Sequence, residues 1–351
     1  MKIIAYYLPQ FHEIKENNIW WGKGFTEWTN VKKAKPLFSG HSQPKVPLAH
    51  NYYNLLEEET MLYQNELSKK YGIYGFCFYH YWFKGRKILE KPAENLLKWE
   101  HIKQNFCFCW ANHTWKKSWN GTQEILIPQT YGDITEWEEH FNYLITFFSD
   151  KRYIKKENKP VFLIYSSNEI PQFDERVEYY NQRCKDHGFD GIYVVELIKH
   201  HKKGIVHQNS SAIAYSEPAY SMSKLSIFQK VLIKFYQKSG IKVFSYPEKK
   251  LVQNIVNKNT KICDKECFLG SFNGWDNTPR HKKRGYVIEK LYAKDFKNIL
   301  IKQKRIMKEN NIEYLFFNAW NEWAEGMYLE PDEEYKYKYL EVIKEVMDTQ
   351  V

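Results

Sequence analysis

The sequence predicts an α/β fold of the (β/α)8 class, a TIM barrel, with residues 1–351 forming a single domain. Short apolar segments alternate with helix-like stretches, and 351 residues suit one large barrel. Almost wholly apolar segments of this kind are typical of strands that are buried on both faces of a parallel sheet. The predicted strands are Ile3–Leu8, Gly75–Tyr79, Phe106–Trp110, Val161–Tyr165, Ile192–Leu197, Ala212–Tyr215, Phe268–Phe272 and Tyr314–Phe317.

The stretches between these segments supply helices. The clearest are Glu57–Tyr71, Glu136–Phe148, Phe173–His187, Ala293–Asn310 and Tyr335–Met347. An open doubly wound sheet is the alternative, but the first strand leads into Pro9-Gln10-Phe11-His12, which lacks the glycines that cradle a pyrophosphate. The Lys-rich region near 199–262 fits neither clean strands nor one long helix. We interpret it as an elaborated βα region of the same domain.

Charge and composition narrow the classes of partner. A formal net charge of +10 favours anionic partners or simply reflects a solvated basic surface. The chain has none of the usual nucleic-acid-binding motifs, so we expect no nucleic acid partner. The N-terminal residues lack the long apolar region of a signal peptide, and no stretch of about 18 apolar residues occurs. We therefore expect a cytoplasmic protein whose cysteines are free thiols.

The residues that follow the predicted strands share a character. The chain is 17% aromatic with 12 tryptophans, and Trp recurs beside Asn, His, Asp or Glu after five predicted strands. Barrel chemistry gathers at the C-terminal ends of the strands. A sugar ring stacks its flat C–H face on aromatic rings, and its hydroxyls need hydrogen-bond partners. Singly, each Trp also suits a core position, but together they predict a carbohydrate site.

The predicted sugar-contacting residues come from these strand ends. They are Tyr7, Gln10, His12, Trp20, Trp21, Glu27, Trp28, His80, Tyr81, Trp82, Trp110, Asn112, Trp115, Tyr165, Trp275, Asp276, Asn318, Trp320, Asn321 and Trp323. Trp119 follows Trp115 in the same loop.

Two acids after the last strand are the predicted catalytic residues. Glu322 and Glu325 are three positions apart, so one turn places both on the same side. Two carboxyls against apolar rings should have split pKa values, one protonated and one ionised, which is what glycosyl transfer uses. The alternative, a solvated acidic turn, is our interpretation of the acids that follow: Glu330, Asp332, Glu333 and Glu334.

Metal binding is a competing use of these acids. Asp276 and Glu217 could join them around a divalent cation. The chain contains no Asp-x-Asp pair suited to a metal-bound nucleotide sugar. The closely spaced cysteines, at 107 and 109 and at 263 and 267, lack a second ligand pair at zinc spacing and are predicted to be buried thiols. We therefore predict no metal and no cofactor.

Several long motifs resemble one family. They are Tyr7-Leu-Pro-Gln-Phe-His12, Trp20-Trp21-Gly-Lys-Gly-Phe-Thr-Glu-Trp-Thr-Asn30, Gly75-Phe-Cys-Phe-Tyr-His-Tyr-Trp82, Cys109-Trp-Ala-Asn112, Lys159-Pro-Val-Phe-Leu-Ile-Tyr165, Gly274-Trp-Asp-Asn-Thr-Pro-Arg280 and Asn318-Ala-Trp-Asn-Glu-Trp-Ala-Glu-Gly326. Over about 1–165 and 268–345 the chain closely resembles the WbsX-type proteins, also called glycoside hydrolase family 99-like.

The resemblance implies a barrel enzyme of bacterial surface-polysaccharide biosynthesis, such as O-antigen, lipopolysaccharide or capsule. The run from Asn321 to Gly326 also implies a distant kinship to family 99 endo-α-mannosidases. Carried over from those hydrolases, Glu322 would deprotonate the sugar 2-hydroxyl, which attacks the anomeric carbon to give a 1,2-anhydro sugar. Glu325 would be the acid and base for the leaving group and the incoming group, with net retention.

Three functions stay open at this point. A retaining glycosyltransferase and a retaining endo-acting, α-mannosidase-like hydrolase can share one carboxylate pair, because only the acceptor differs. The expected cytoplasmic location favours transfer, with a glycan or lipid-linked oligosaccharide as substrate. A glycan-binding protein without catalysis is the third possibility.

Two basic segments bear on membrane association. Lys224–Lys238 reads as a helix with Ile227, Phe228, Val231, Leu232 and Phe235 on one face. Such a helix can lie on the inner face of an anionic membrane. The favoured interpretation is that its apolar face packs into the protein. Arg280–Arg284, after the seventh strand, suits either a phosphate contact or a solvated loop.

Overall fold

Eight parallel strands form the centre of the molecule. The computed structural model describes residues 1–117, 124–201, 206–239, 244–245 and 253–350. The barrel strands are β1 (Lys2–Tyr7), β2 (Ile73–Phe83), β3 (Phe106–Trp110), β4 (Lys159–Ile164), β5 (Tyr193–Ile198), β6 (Ala212–Tyr215), β7 (Lys265–Phe272) and β8 (Tyr314–Asn318).

The strands close into a barrel because β1 pairs with both of its neighbours. Ile3 lies opposite Leu315 of β8, and Ala5 lies opposite Phe76 of β2. The other strands pair in parallel in chain order, from β2 through to β8. The predicted fold class is confirmed. Strand β2 runs to Phe83, beyond its predicted end at Tyr79, and so carries residues past the barrel rim.

The strands are apolar because both of their faces are covered. Every residue of β3 and β6 is buried, and the side chains pack either inside the barrel or against the outer helices. The core is unusually aromatic. Tyr7, for example, lies 4.3 Å from Phe78 and 5.0 Å from Phe76 between ring centroids.

Helices surround the barrel. In the described residues they are α1 (Lys15–Trp21), α2 (Glu27–Lys33), α3 (Glu58–Lys70), α4 (Lys91–Lys98), α5 (Ile134–Phe148), α6 (Phe173–Asp186), α7 (Ala219–Ser223), α8 (Ile227–Ser239), α9 (Thr278–His281), α10 (Ala293–Glu309) and α11 (Lys338–Asp348), with a helical turn at 253–256. The five predicted helices correspond to α3, α5, α6, α10 and α11. Asp133 begins α5, where its side chain accepts a hydrogen bond from the Thr135 amide at 3.0 Å.

Short strands and turns lie at both ends of the barrel. Short strands lie at Arg86–Ile88, Trp115–Lys117, Glu124–Ile127, Lys155–Lys156, Phe244–Ser245, Lys261–Ile262, Trp275–Asp276, Tyr286–Ile288, Asn321–Glu322 and Met327–Tyr328. Single 3-10 turns lie at Leu48–His50, Ser167–Glu169, Lys282–Arg284 and Trp323–Glu325. The region near 199–262 contains β6, α7 and α8, and parts of it lie outside the described residues.

Helix α8 carries apolar residues on two faces. Ile233 is buried, and Leu232 and Tyr236 pack beside it against the core. The side chains of the other face are 56–80% exposed: Ile227, Phe228, Val231 and Phe235. The favoured interpretation, that this face packs inward, is therefore wrong, because the neighbouring face already supplies the inward contacts.

The cysteines carry no disulfide. Cys77, Cys107, Cys109, Cys184 and Cys267 are buried free thiols, as predicted for most of them. Cys263 is an exposed free thiol, which corrects the prediction that it is buried, because it lies in the turn that leads into β7. Within the described part of the chain, no helix combines the length and the apolarity needed to cross a membrane.

Candidate active site

A cavity of about 470 Å³ opens at the C-terminal ends of the barrel strands. Its walls come from residues at or just beyond the ends of seven strands, from Leu8 after β1 to Asn318 at the end of β8. Parallel strands bring these ends to one mouth, which is why residues far apart in sequence meet there. Nine predicted site residues line the cavity: Gln10, Trp21, Tyr81, Trp115, Tyr165, Trp275, Asn318, Glu322 and Glu325.

A tight turn presents the two predicted catalytic acids. Asn321–Glu322 pairs antiparallel with Met327–Tyr328, and the 3-10 turn between them carries Glu325. Gly326 closes this turn with a φ of +63°, a conformation that favours glycine. A Cβ at Gly326 would lie 2.9 Å from the backbone nitrogen of Asp276. Glycine therefore allows the Trp275–Asp276 strand to approach the turn that carries Glu325 closely.

Arg280 joins the acids of the site. Its guanidinium hydrogen-bonds to Glu325, and its Nη2 lies 3.6 Å from Oε2 of Glu322. Its Nε donates to Oε1 of Glu27 at 3.0 Å. Glu325 also accepts a hydrogen bond at 3.1 Å from the indole nitrogen of Trp275. One cation thus positions three carboxyl groups at the mouth of the barrel.

The two predicted catalytic acids have different surroundings. The side chain of Glu322 is 10% exposed and its Oε2 has no hydrogen-bond partner among the described residues, whereas the side chain of Glu325 is 24% exposed. Burial, helped by the nearby charge of Glu325 and opposed by Arg280, raises the pKa of Glu322 to about 8. Burial also raises the pKa of Glu27, against the opposing effect of Arg280.

Aromatic side chains form the rest of the wall. The rings of Tyr81 and Trp115 meet edge to face with centroids 5.0 Å apart, and Tyr79 and Tyr165 meet in the same way at 6.4 Å. Trp275 also lines the cavity, where it contacts Glu325. Such surfaces stack on the C–H faces of sugar rings.

Two asparagines leave polar atoms unpaired in the cavity wall. Asn17 of α1 is 1% exposed, and neither atom of its amide has a hydrogen-bond partner among the described residues. Asn318 donates to the backbone oxygen of Glu217 at 2.6 Å, while its own side-chain oxygen is unpaired within the same residues. Buried amides normally have partners, so both are suited to ligand hydroxyls.

Two predicted sugar contacts on strand β2, His80 and Trp82, do not line the cavity. Tyr79 and Tyr81 point into the cavity, so the alternation of a strand sends His80 and Trp82 to the other face. There, His80 hydrogen-bonds to His140 at 2.9 Å, and the indole of Trp82 donates to Glu136 of α5 at 2.6 Å. Both side chains are buried between the strand and its helix, and the structure does not support their part as sugar contacts.

The other tryptophans beside the site serve the core. Trp28 donates to the backbone oxygen of Tyr53 at 2.8 Å. Trp323 donates to Glu330 at 2.6 Å and stacks on Tyr328. Trp110, Trp320 and Tyr7 are each 1% exposed or less. Trp20 packs edge to face behind Trp115 at 5.8 Å.

The remaining predicted contacts support the site from outside the cavity. Asn321 bonds to both backbone groups of Leu8, and Asn112 bonds to both backbone groups of Ser166. Asp276 binds His41 and Gln43 beside a neighbouring cavity of about 320 Å³. Glu27 holds Arg280, and His12 is buried without lining the cavity. Trp119 lies outside the described residues.

The prediction of a solvated acidic turn after Glu325 is wrong for two of its four residues, while Glu333 and Glu334 are exposed. Glu330 and Asp332 are 6% and 1% exposed, so neither belongs to a solvated turn. Glu330 accepts hydrogen bonds from Trp323, Tyr53 and Gln64.

Fourteen lining residues were absent from the predicted set. Among them are Asn17, Tyr79, His113, Glu217 and Arg280. Alternation along β2 would have indicated Tyr79, because it shares a face with Tyr81. The role of Arg280 depends on the packing of α9 against α2, which are far apart in sequence. A pattern of neighbouring residues therefore does not indicate it. No group of three or more potential metal ligands occurs among the described residues.

Comparison with known proteins identifies the family. A family model described as glycosyltransferase WbsX matches residues 3–343. The chain belongs to the WbsX glycosyltransferase family. Two proteins with the name WxcX, from Xanthomonas campestris pv. campestris strains B100 and ATCC 33913, are each 30% identical to this WbsX-family chain over 353 residues. The alignment covers 98% of the chain and 49% of each relative, so the chain spans about half the length of the curated relatives it matches.

Solved structures support the fold. An endo-α-mannosidase of glycoside hydrolase family 99 from Bacteroides thetaiotaomicron matches with a TM-score of 0.59 at 14% identity, covering 99% of this chain and 96% of that one. A glycoside hydrolase-like protein matches with a TM-score of 0.62 at 12% identity, covering 99% and 94%. Identities this low support the (β/α)8 fold alone. Membership of the WbsX family supports a carbohydrate-active enzyme.

Proposed function

We propose that this WbsX-family chain transfers glycosyl groups with retention of configuration, using Glu322 and Glu325, in the biosynthesis of a bacterial surface polysaccharide. The observation that carries the proposal is the pair of carboxyls held by Arg280 in an aromatic cavity at the mouth of the barrel. Family membership supports the reaction class. Transfer and hydrolysis both need a proton donor and a base on one sugar ring.

The proposed first step breaks the bond to the leaving group. Glu322 takes the proton of the sugar 2-hydroxyl, and that oxygen attacks the anomeric carbon to form a 1,2-anhydro sugar. Glu325 gives its proton to the departing oxygen in the same step. In the second step, Glu325 takes a proton from the acceptor hydroxyl, which opens the anhydro ring at the anomeric carbon. Glu322 then returns a proton to O2, and two inversions give net retention.

The protonation of the pair fits a reaction that needs one proton. The raised pKa of Glu322 keeps a proton in the site at neutral pH. Arg280 and Trp275 hydrogen-bond to Glu325 and hold it beside Glu322. The proposed reaction needs that proton on Glu325 and a charged Glu322 at the moment of bond cleavage.

The acceptor decides between the two enzyme functions. We propose a glycan hydroxyl, with a lipid-linked oligosaccharide as the substrate class, acting in the cytoplasm or at the inner membrane face. Retaining endo-hydrolysis is the second candidate, supported by the structural likeness to the endo-α-mannosidase from Bacteroides thetaiotaomicron. Product analysis separates them, because transfer yields a longer glycan and hydrolysis yields a free reducing sugar.

The test is a substrate screen. The chain is incubated with lipid-linked glycans and with nucleotide sugars, and products are followed by mass. We expect a product that grows by one glycosyl unit, and a loss of several orders of magnitude in rate for Glu322→Gln and Glu325→Gln. A protein that binds glycans without catalysis would show unchanged binding and no turnover in either variant or the parent, and that result would overturn the proposal.

A further inference from the structure

The strongest feature outside the catalytic cavity is a surface that combines exposed apolar rings with cations. We define the α8 surface as the exposed face of α8 together with the exposed 3-10 turn Lys282–Arg284, against which α8 packs. Its apolar members are Ile227, Phe228, Val231 and Phe235, and its cations are Lys234, Lys238, Lys282, Lys283 and Arg284.

Both halves of this surface are purely basic in sequence. No Asp or Glu occurs in 218–247 or in 277–288. In the described part of the chain, the ion pairs do not include any of the five cations of the α8 surface. By contrast, Lys224 and Lys230 on the same segment turn to backbone oxygens of Asn257 and Ser223. The five cations thus keep their charge directed toward solvent.

The apolar members are too exposed to be part of the core. Ile227 and Phe228 are 80% and 75% exposed, while Ile233 on the opposite side of the helix is 9% exposed. Large apolar side chains in a contiguous patch mark an interaction surface. Flanking lysines beside Phe and Ile are the composition of helices that lie in the interface of an anionic bilayer.

We propose that the α8 surface binds an anionic lipid bilayer. Charge selects this partner over a second copy of the chain, because a dimer through this face would bring two sets of five cations together. A bilayer supplies both an apolar layer for the rings of Phe228 and Phe235 and anionic headgroups for the lysines.

The α8 surface lies close in sequence to residues of the cavity wall. Pro218 lines the catalytic cavity and precedes α7 and α8, and Arg280 lies two positions before Lys282. The α8 surface therefore borders the cavity at the mouth of the barrel. If the proposed function holds, a bilayer bound there lies beside the site where a lipid-linked glycan must enter.

The experiment is vesicle flotation with the full chain. Vesicles of phosphatidylcholine alone are compared with an equimolar mixture of phosphatidylcholine and phosphatidylglycerol, at low and at physiological salt. We expect binding to the mixed vesicles, weakening as salt rises, and little binding to phosphatidylcholine. No binding to mixed vesicles at low salt would overturn the proposal.

Variants locate the contact. Ile227→Ser with Phe228→Ser should weaken binding roughly tenfold or more through lost apolar burial. Lys234→Gln and Lys238→Gln should each weaken it about fivefold. The matched controls Ile134→Ser on α5, at 59% exposure, and Lys302→Gln on α10 should bind as the parent does. Equal loss in the controls, or none in the α8 variants, would overturn the assignment.

Two further readouts separate this proposal from others. Sedimentation equilibrium should give the same mass for the parent and the α8 variants, and a dimer that the α8 variants abolish would assign the surface to self-association instead. Turnover of a lipid-free glycan should be unchanged in the α8 variants. If no turnover is found for any protein, the proposed function fails while vesicle binding still decides the membrane contact.

Discussion

Replacing each of the two proposed catalytic acids, Glu322 and Glu325, by glutamine tests which of them donates the proton. The donor substrate is either the natural glycan or the glycosyl fluoride of the same sugar, whose leaving group needs no acid. Glu325→Gln should lower kcat/KM on the natural donor by about 10²- to 10⁴-fold, the usual contribution of a general acid. The fluoride should restore much of that rate. Glu322→Gln should stay inactive with both donors, because its base is gone.

The pKa of Glu322 sets how steeply kcat/KM should depend on pH. With the pKa of Glu322 at about 8, roughly nine-tenths of the pairs keep their proton at pH 7 and roughly one-tenth keep it at pH 9. Because the reaction needs that proton, kcat/KM of the parent should fall about tenfold per pH unit above 8. The sign follows from the raised pKa, since the protonated pair exists below it.

The variant Glu325→Gln should reverse that sign with the fluoride donor. The charge of Glu325 is one cause of the raised pKa of Glu322, and the substitution removes it. The charge of Arg280, which lowers the pKa of Glu322, is then no longer shared with Glu325. Both effects lower the pKa of Glu322. Activity should then rise with pH through a value below 8, because only the ionised base is needed. Rescue of Glu322→Gln by the fluoride, in place of Glu325→Gln, would refute the assignment and exchange the two roles.

Three further substitutions probe the site and its supports. Arg280→Met leaves the fully buried Glu27 uncompensated and should lower the free energy of unfolding by about 3–5 kcal/mol, with part of the loss recovered in the double variant with Glu27→Gln, as measured by denaturant unfolding. Asn17→Ala should raise KM up to roughly tenfold with little change in kcat or Tm, because it removes unpaired amide atoms from the cavity wall. Lys258→Met breaks the buried 2.5 Å pair with Glu217 and should cost about 3–5 kcal/mol, with a smaller loss when Glu217→Gln is added.

Each of these has an outcome that contradicts it. Equal stability losses in the single and double variants would show that the Arg280 and Lys258 ion pairs are not the cause. A large decrease in Tm for Asn17→Ala would mean that this amide stabilises the fold and is not a ligand contact.

The fold was predictable because each barrel strand has a recognisable sequence of consecutive apolar residues. Segments such as Phe106–Trp110 are apolar on both faces, and only burial from two sides explains that pattern. The end of β2 was harder, since its polar and aromatic residues continue past the rim without a break. Treating His80, Tyr81 and Trp82 as one group ignored the alternation that sends His80 and Trp82 toward α5.

The geometry of the candidate site was predictable where it depends on residues close in sequence, and not where it depends on tertiary contacts. Glu322 and Glu325 stand in one turn, so their proximity can be read from spacing. Arg280 reaches them from another strand end, and Asn17 reaches the cavity from α1. Tryptophan was an ambiguous signal, because Trp323 and Trp320 fill the core as well as any site residue would. The exposed face of α8 was predicted to pack inward since its pattern is the same in either case.

The exposed thiol of Cys263 gives this chain a built-in attachment point. The other five cysteines are buried, so a maleimide fluorophore should couple to the native protein at this position without any substitution. Cys263 precedes β7, and the start of a barrel strand lies at the end of the barrel opposite the candidate active site. A dye there would leave the cavity unobstructed, and its distance from an acceptor dye in a vesicle would report which end of the barrel faces the lipid.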